Sequence, residues 1–287
     1  MGLSELSRLL RLSPHSEAAI RGFCELGASD CAALRERVLV VGCGKSGTQA
    51  LTSLSKHTVL PLHHEWFGHF SVVDWRMGGL LHECARRDPQ WRVCYGAVLK
   101  VHRSPLETMS SLIAGFTSCG HCDESQCRNL RRDYSSPGPR HALSFMLNWQ
   151  DVFSWRVAKR FANVSLPNTS RTCALPRATR LRMALEYWVR WNELSDTLAS
   201  WSFAIERASM EEIVRHACLA MHDTPASWCT QSPRSSVVFS PSRKVNSSYQ
   251  QRERPLLTWS EIEEVDPESA GLARRARGLA RSYGYTL

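Results

Sequence analysis

The chain has 287 residues, of which 43% are apolar and 22% charged, a composition typical of a globular protein. No apolar stretch approaches the roughly 18 residues that a transmembrane helix needs, and Arg, Ser and Glu interrupt the N-terminus too often for a signal peptide. The formal net charge of +9 favours anionic partners, but no basic run with interleaved aromatic residues points to nucleic acid.

Cysteine usage leaves the cellular compartment open. Eleven cysteines are many for a cytosolic enzyme, and the odd number means that at least one is free or paired outside the chain. Three glycosylation sequons, at Asn163, Asn168 and Asn246, are usable only in a secretory lumen. The cysteines and the histidine within residues 119–127 are candidates for a zinc site, a disulfide-stapled loop or ordinary thiols.

The first half of the chain alternates between predicted strands and helices. Residues 38–41 form an apolar run that ends in a glycine-rich turn, which is typical of a buried parallel strand, and helical spacing follows. Two more strands are predicted, one from the apolar run at residues 59–62 that ends at His63-His64-Glu65 and one at residues 97–101, and residues 106–114 predict a helix. This alternation predicts βαβ units around a parallel sheet.

The second half begins with a break in this pattern. Residues 115–178, with loops rich in Gly, Cys, Ser and Pro, predict an irregular insertion. Apolar residues at helical spacing over residues 181–194 predict a long amphipathic helix, and residues 201–205 predict another strand. A last helix is predicted to begin at Asp266 and to end near Arg281.

The glycine-rich turn is the first candidate site. Gly42, Gly44 and Gly47 lie between a strand and a helix, where backbone N–H groups and the helix dipole bind phosphate or sulfate oxygens. The same spacing occurs in dinucleotide-binding turns, and Glu65 stands near the offset of a ribose-binding acid. A Rossmann-type NAD(P)-dependent oxidoreductase is therefore an alternative, as is a tight turn without a ligand.

Lys45 favours the anion-binding interpretation, because a cation inside the loop can meet negative charge that develops on a leaving group. The second signal is Arg103, which follows a predicted strand, with Ser111 eight residues further on. An arginine and a hydroxyl so placed can bind one phosphate from two sides. Without the glycine-rich loop, the simpler interpretation would be that Arg103 is an ordinary surface arginine and Ser111 an ordinary helix-facing serine.

Together these residues resemble a known family. Residues 42–51 are similar to the 5′-phosphosulfate loop of sulfotransferases that use 3′-phosphoadenosine 5′-phosphosulfate (PAPS), and residues 103–111 resemble their 3′-phosphate motif. The resemblance is closer to the carbohydrate-modifying Golgi type and to algal and bacterial members than to the cytosolic phenol type. It implies a P-loop NTPase-like sulfotransferase fold, a parallel β-sheet flanked by helices. We therefore expect a helical lead at residues 1–35 and a sulfotransferase domain at residues 36–287, with the insertion at about 115–178.

The resemblance also implies the chemistry, a sulfuryl transfer without a metal to a hydroxyl of a glycan or a small molecule, with a sugar as our first expectation. It assigns donor binding to Gly44, Lys45, Ser46, Gly47, Thr48, Gln49, Arg103, Ser111 and Asn246. Lys45 would neutralise the leaving 5′-phosphate. Glu65 would accept the proton of the acceptor, with His64 and His102 as competing candidates.

Some alternatives stay open at this point. The chain as written shows no membrane anchor or secretion signal, from which a cytoplasmic location is expected, whereas the Golgi lumen would follow if an N-terminal anchor is missing from it. A non-catalytic module that binds the nucleotide without needing Glu65 is a further alternative. No feature of the sequence predicts the oligomeric state.

Overall fold

The structure is a computed structural model that describes four stretches of the chain: residues 17–116, 177–230, 256–264 and 270–287. Within the first two it leaves out residues 27, 45, 57, 65–66, 68, 74–80, 82–83, 85–86, 89–90, 92 and 222–225. Packing divides the chain into two compact units, the first comprising Met1–Ser104 and Asn192–Glu253 and the second Pro105–Trp191 and Arg254–Leu287.

The described helices belong to both units. In chain order they are α1 (Glu17–Cys24), α2 (Ala28–Leu34), α3 (Thr48–Ser55), α4 (Pro105–Phe116), α5 (Arg177–Leu198), α6 (Met210–Ala220), α7 (Trp259–Glu264) and α8 (Ala270–Ser282). A short 3-10 turn, Ser227–Thr230, follows α6. None of the helices described is long and apolar enough to cross a lipid bilayer.

The described part of the first unit contains a five-stranded, all-parallel sheet. Its strands are β1 (Val38–Gly42), β2 (His63–His64), β3 (Ser71–Val73), β4 (Ala97–His102) and β5 (Trp201–Ala204), in the spatial order β2-β3-β1-β4-β5. Every residue of β1 and β4 is buried, as expected of parallel strands that are covered on both faces. The predicted α/β class with a parallel sheet is thereby confirmed.

Alternate residues of β1 pack into different cores. Val38 and Val40 belong to one apolar cluster, and Leu39 and Val41 belong to another. The first cluster includes residues of α3 and α6, and the second includes residues of α1 and α2. Because successive side chains of a strand point to opposite faces, the sheet needs helices on both sides.

Among the described residues of the first unit, three disulfides connect separate elements. They join Cys24 to Cys84, Cys31 to Cys94 and Cys218 to Cys229. The first two tie α1 and α2 to the chain that leads into β4, and the third ties α6 to the 3-10 turn. Disulfides of this kind are typical of proteins that fold in an oxidising compartment.

The described part of the second unit is helical. Trp188 of α5 packs edge-on against Tyr283, which follows α8, with ring centroids 6.4 Å apart. Arg277 of α8 contacts α7 twice: its Nη2 lies 3.1 Å from Glu263 Oε1, and its guanidinium lies 5.4 Å from the centre of the Trp259 ring. Ala273, Ala276 and Ala280, at helical spacing along α8, are buried.

The structure agrees with most of the predicted elements. The predicted strands at residues 38–41, 97–101 and 201–205 correspond to β1, β4 and β5, and the predicted helices at residues 106–114 and 181–194 correspond to α4 and α5. The start of the last helix, predicted at Asp-Pro, lies outside the described residues, and α8 ends one residue after the predicted end.

The second predicted strand, which starts at Val59 and ends at Glu65, forms only at residues 63–64. Residues 59–62 lie just before β2, which comprises only His63 and His64, and the buried Leu60 and Leu62 contribute to the core without strand pairing. Most of the predicted insertion lies outside the described residues. The division into a lead and a sulfotransferase domain stays a prediction.

Candidate functional site

The candidate site lies at the carboxyl edge of the sheet, between β1 and β4. These neighbouring strands are parallel, so the glycine-rich loop after Gly42 and the turn at residues 102–104 leave the sheet at the same edge. We call this place the β1–β4 edge. Because β3 lies on one side of β1 and β4 on the other, the chain changes direction across the sheet here. Open parallel sheets bind ligands at such a switch point.

Gly47 gives the loop its shape. Its φ of 92° lies in the left-handed region that favours glycine, and a Cβ there would lie 3.1 Å from Ile205 Cγ1. α3 begins at the next residue, Thr48, and Leu51 N donates to Gly47 O at 2.9 Å. Gly47 has no side chain to cap the helix, and the first turn of α3 has no acidic residue. The loop therefore directs backbone N–H groups and the positive end of a helix dipole towards the edge, and the first turn of α3 itself supplies no carboxylate that would compete for them.

Gly42 and Ser46 lie in close contact within the loop. A Cβ on Gly42 would lie 2.7 Å from Ser46 Oγ and 2.8 Å from Val101 Cγ1, so a larger residue would displace one of them. Ser46 is buried, and its N–H donates to Cys43 O at 3.0 Å. Its Oγ has no hydrogen-bond partner within the described part of the chain. A buried hydroxyl in this state costs about 1–3 kcal/mol, and an anionic oxygen held by the loop is the kind of group that would remove this cost.

The turn after β4 is held by the end of β5. Ile205 N donates to His102 O at 2.9 Å, and Glu206 Oε1 accepts from Ser104 N at 2.7 Å. The half-buried Arg103 lies between these two anchored residues. The backbone that carries this cation is therefore fixed at both of its neighbours.

Two titratable residues of β4 are buried beside this edge. Burial, together with the positive charges of Lys100 and Arg207, lowers the pKa of His102 to about 3. Burial also lowers the pKa of Lys100 to about 8, although Asp196 opposes the shift. Lys100 Nζ donates to Asp196 Oδ1 at 2.6 Å and to Asn192 O at 2.9 Å. At pH 7, Lys100 is therefore charged and His102 is neutral.

The structure brings part of the predicted donor site together. The predicted loop residues that it describes are Gly44, Ser46, Gly47, Thr48 and Gln49. Arg103 lies at the same edge of the sheet, after the neighbouring strand. His64 ends β2, which lies two strands from β1, so ordinary strand spacing places it about 10 Å along the edge.

Other predicted residues are not tested by this geometry. Ser111 is half-buried in α4, which belongs to the second unit. Lys45, Glu65 and Asn246 lie outside the described residues. Their roles stay predictions.

Sequence reasoning missed Ile205 and the partner of Lys100. A lysine inside a buried apolar strand signals a paired charge, but Asp196 lies 96 residues further along the chain. Ile205 gives no signal of its own, since only the fold places it against Gly47.

No protein-family model, curated protein or solved structure matches this chain. Among the residues that the structure describes, no group of three or more His, Cys, Asp or Glu side chains could hold a metal ion. The function is therefore inferred from the chemistry of the β1–β4 edge.

Proposed function

We propose that this chain is a sulfotransferase that moves a sulfuryl group from PAPS to an acceptor hydroxyl, and that it has the P-loop sulfotransferase fold. The observation that carries the proposal is the anion-binding geometry of the β1–β4 edge. There, a left-handed Gly47 precedes α3, the Ser46 hydroxyl is buried, and Arg103 follows the adjacent strand. The all-parallel sheet with helices on both faces is consistent with this fold.

The donor carries anionic groups at two places, and the edge has two elements to receive them. The 5′-phosphosulfate would lie on the loop, where the N–H groups at the start of α3 and the Ser46 hydroxyl donate to its oxygens. The 3′-phosphate would pair with Arg103, whose planar guanidinium can donate two parallel hydrogen bonds. Ordinary adenine nucleotides lack this phosphate, so Arg103 would select the donor.

The strand order weighs against the dinucleotide-binding alternative. Rossmann domains have the order 3-2-1-4-5-6, in which β2 lies beside β1. In this chain β3 lies between β2 and β1. A nicotinamide dinucleotide would also give Arg103 no defined task.

In sulfuryl transfer the protein acts mainly by positioning the donor and the acceptor, and not by forming covalent bonds to them. The acceptor oxygen attacks sulfur in line, the new S–O bond forms, and the S–O bond to the 5′-phosphate breaks. The acceptor's proton passes to a base, for which we propose Glu65, with His64 as its competitor. Lys45 would meet the negative charge that collects on the departing 3′,5′-bisphosphate.

A carbohydrate hydroxyl is the acceptor that we favour. The resemblance of the loop to carbohydrate-modifying sulfotransferases supports it, and the net charge of +9 suits a carboxylated or sulfated glycan. The three disulfides fit maturation in an oxidising compartment such as the secretory lumen.

Titration with 3′-phosphoadenosine 5′-phosphate (PAP), the nucleotide product of the donor, tests this proposal by calorimetry and thermal shift. A ligand that binds only the native state raises the melting temperature, so we expect stabilisation by PAP and none by NAD or NADP. Arg103→Ala should weaken PAP binding by about 10- to 100-fold, the usual size of a lost charge-assisted hydrogen bond.

Arg35→Ala is the matched control. Arg35 is exposed and precedes β1, at the opposite edge of the same sheet, so its loss should leave PAP binding unchanged. Stabilisation by NAD or NADP that survives Arg103→Ala would overturn the proposal. PAP binding with no transfer of labelled sulfate to a glycan mixture, in wild type and in Glu65→Gln alike, would identify a non-catalytic module instead.

A further inference from the structure

The segment Ile205–Glu206, directly after β5, contacts both halves of the β1–β4 edge. On the loop side, a Cβ at Gly47 would lie 3.1 Å from Cγ1 and 3.3 Å from Cγ2 of Ile205, so the loop backbone rests directly on this buried side chain. On the other side, Ile205 N donates to His102 O at 2.9 Å. Ile205 therefore contacts the loop and the end of β4 at the same time.

Glu206, the next residue, contacts the turn after β4 as well. β5 pairs with β4 in parallel, with Ala204 opposite His102, so Glu206 comes opposite Ser104. Its Oε1 accepts from Ser104 N at 2.7 Å, the length of a charge-assisted hydrogen bond. The carboxylate thereby extends the strand pairing into a turn that has no strand pairing of its own.

Arg103 is the residue between these two attachments, His102 O on one side and Ser104 N on the other. We infer that Glu206 is a positioning residue that holds the Arg103 backbone in place for recognition of the donor's 3′-phosphate. The inference rests on the proposed function, because it assigns Glu206 to the specificity of that same site.

The direction in which PAP affinity changes when Glu206 is replaced distinguishes a positioning role from the electrostatic effect of its charge. A carboxylate beside a phosphate site repels the ligand, so on charge alone its removal would strengthen binding. Positioning predicts the opposite for Glu206→Ala, because the Arg103 turn loses its attachment at Ser104 N. Glu206→Gln removes the charge but keeps an oxygen that can accept from Ser104 N, so it should bind PAP at least as well as the wild type.

The experiment measures the dissociation constants of PAP and of adenosine 5′-monophosphate by calorimetry. The ratio of the adenosine 5′-monophosphate constant to the PAP constant reports the contribution of the 3′-phosphate, and a loss of folded protein affects both nucleotides equally. We expect Glu206→Ala to lower this ratio about 10-fold, close to the effect of one charge-assisted hydrogen bond. Glu206→Gln should keep the ratio, and Glu206→Ala should cause no further loss in an Arg103→Ala background.

The outcomes distinguish the inference from the proposed function. If Arg103→Ala lowers the ratio but Glu206→Ala leaves it unchanged or raises it, the role of Glu206 is wrong and the donor site stands. A wild-type ratio near unity, or one unaffected by Arg103→Ala, overturns both. Should Glu206→Ala fail to fold, Glu206→Asp keeps the charge and shortens the reach. A wild-type ratio in that variant would overturn the positioning role.

Discussion

Replacing Gly47 with alanine tests the geometry of the loop directly. A left-handed backbone at φ 92° costs an L-residue about 1–2 kcal/mol. The new Cβ would also lie 3.1 Å from Ile205 Cγ1, closer than ordinary van der Waals contact. Ile205 is buried in the core beside the sheet, so it has little room to withdraw. We expect the variant to lose about 2–3 kcal/mol of unfolding free energy.

Gly278→Ala is the matched control, because it adds the same methyl group to a right-handed helix. Gly278 is exposed in α8, and nothing lies within 4 Å of the position that a Cβ would take. Alanine should stabilise the helix by about 0.5–1 kcal/mol. Urea unfolding followed by circular dichroism and tryptophan fluorescence measures both variants against the wild type. A Gly47→Ala protein as stable as the wild type would refute the left-handed turn at the start of α3.

Two further predictions concern the disulfides and the pH dependence of stability. Alanine at both Cys218 and Cys229, which are 11 residues apart, should cost about 3 kcal/mol of unfolding free energy. Alanine at both Cys24 and Cys84 should cost about the same despite their separation of 60 residues, because the intact Cys31–Cys94 link already closes most of that loop. Urea unfolding measures both variants, and a cost near zero for either pair would contradict the prediction. Folding lowers the pKa of His102 from 6.5 to about 3, so the unfolded state binds the extra proton between these values. The contribution of His102 to the free energy of unfolding is therefore complete above pH 6.5. It is lost on acidification towards pH 3, by up to about 1.4 kcal/mol per pH unit. His102→Gln should flatten this slope in melting curves taken at several pH values, and an unchanged slope would exclude His102 as its source.

The central strands could be predicted because their burial is visible in the sequence. Residues 38–41 and 97–101 are almost entirely apolar, as strands covered on both faces must be. β3 has only three residues, too few for a periodic pattern, and pairing with β1 defines it, with Val72 opposite Val40. Such a strand follows from the sheet around it and not from its own residues.

Some features of the candidate site are likewise visible in the sequence, and others follow only from the fold. The glycine-rich loop and Arg103 are local motifs, so residue types and spacing alone are enough to propose them as a site. The attachment of Ser104 to Glu206 joins residues that are 102 positions apart, and no local pattern predicts it. The close approach of Ser46 to Gly42 likewise has no local sequence signal, because it depends on how tightly the loop turns.

The neutral state of His102 narrows the choice of base in the proposed reaction. Accepting a proton would place a second positive charge near Lys100, where burial already disfavours charge. A group with a pKa of about 3 also has little tendency to take the proton of a hydroxyl, since effective general bases titrate near the working pH. His102 is therefore suited to donate or accept a hydrogen bond as a neutral imidazole, which leaves Glu65 and His64 as the proposed proton acceptors. Substitution of His102 should accordingly change stability in acid more than it changes sulfuryl transfer at neutral pH.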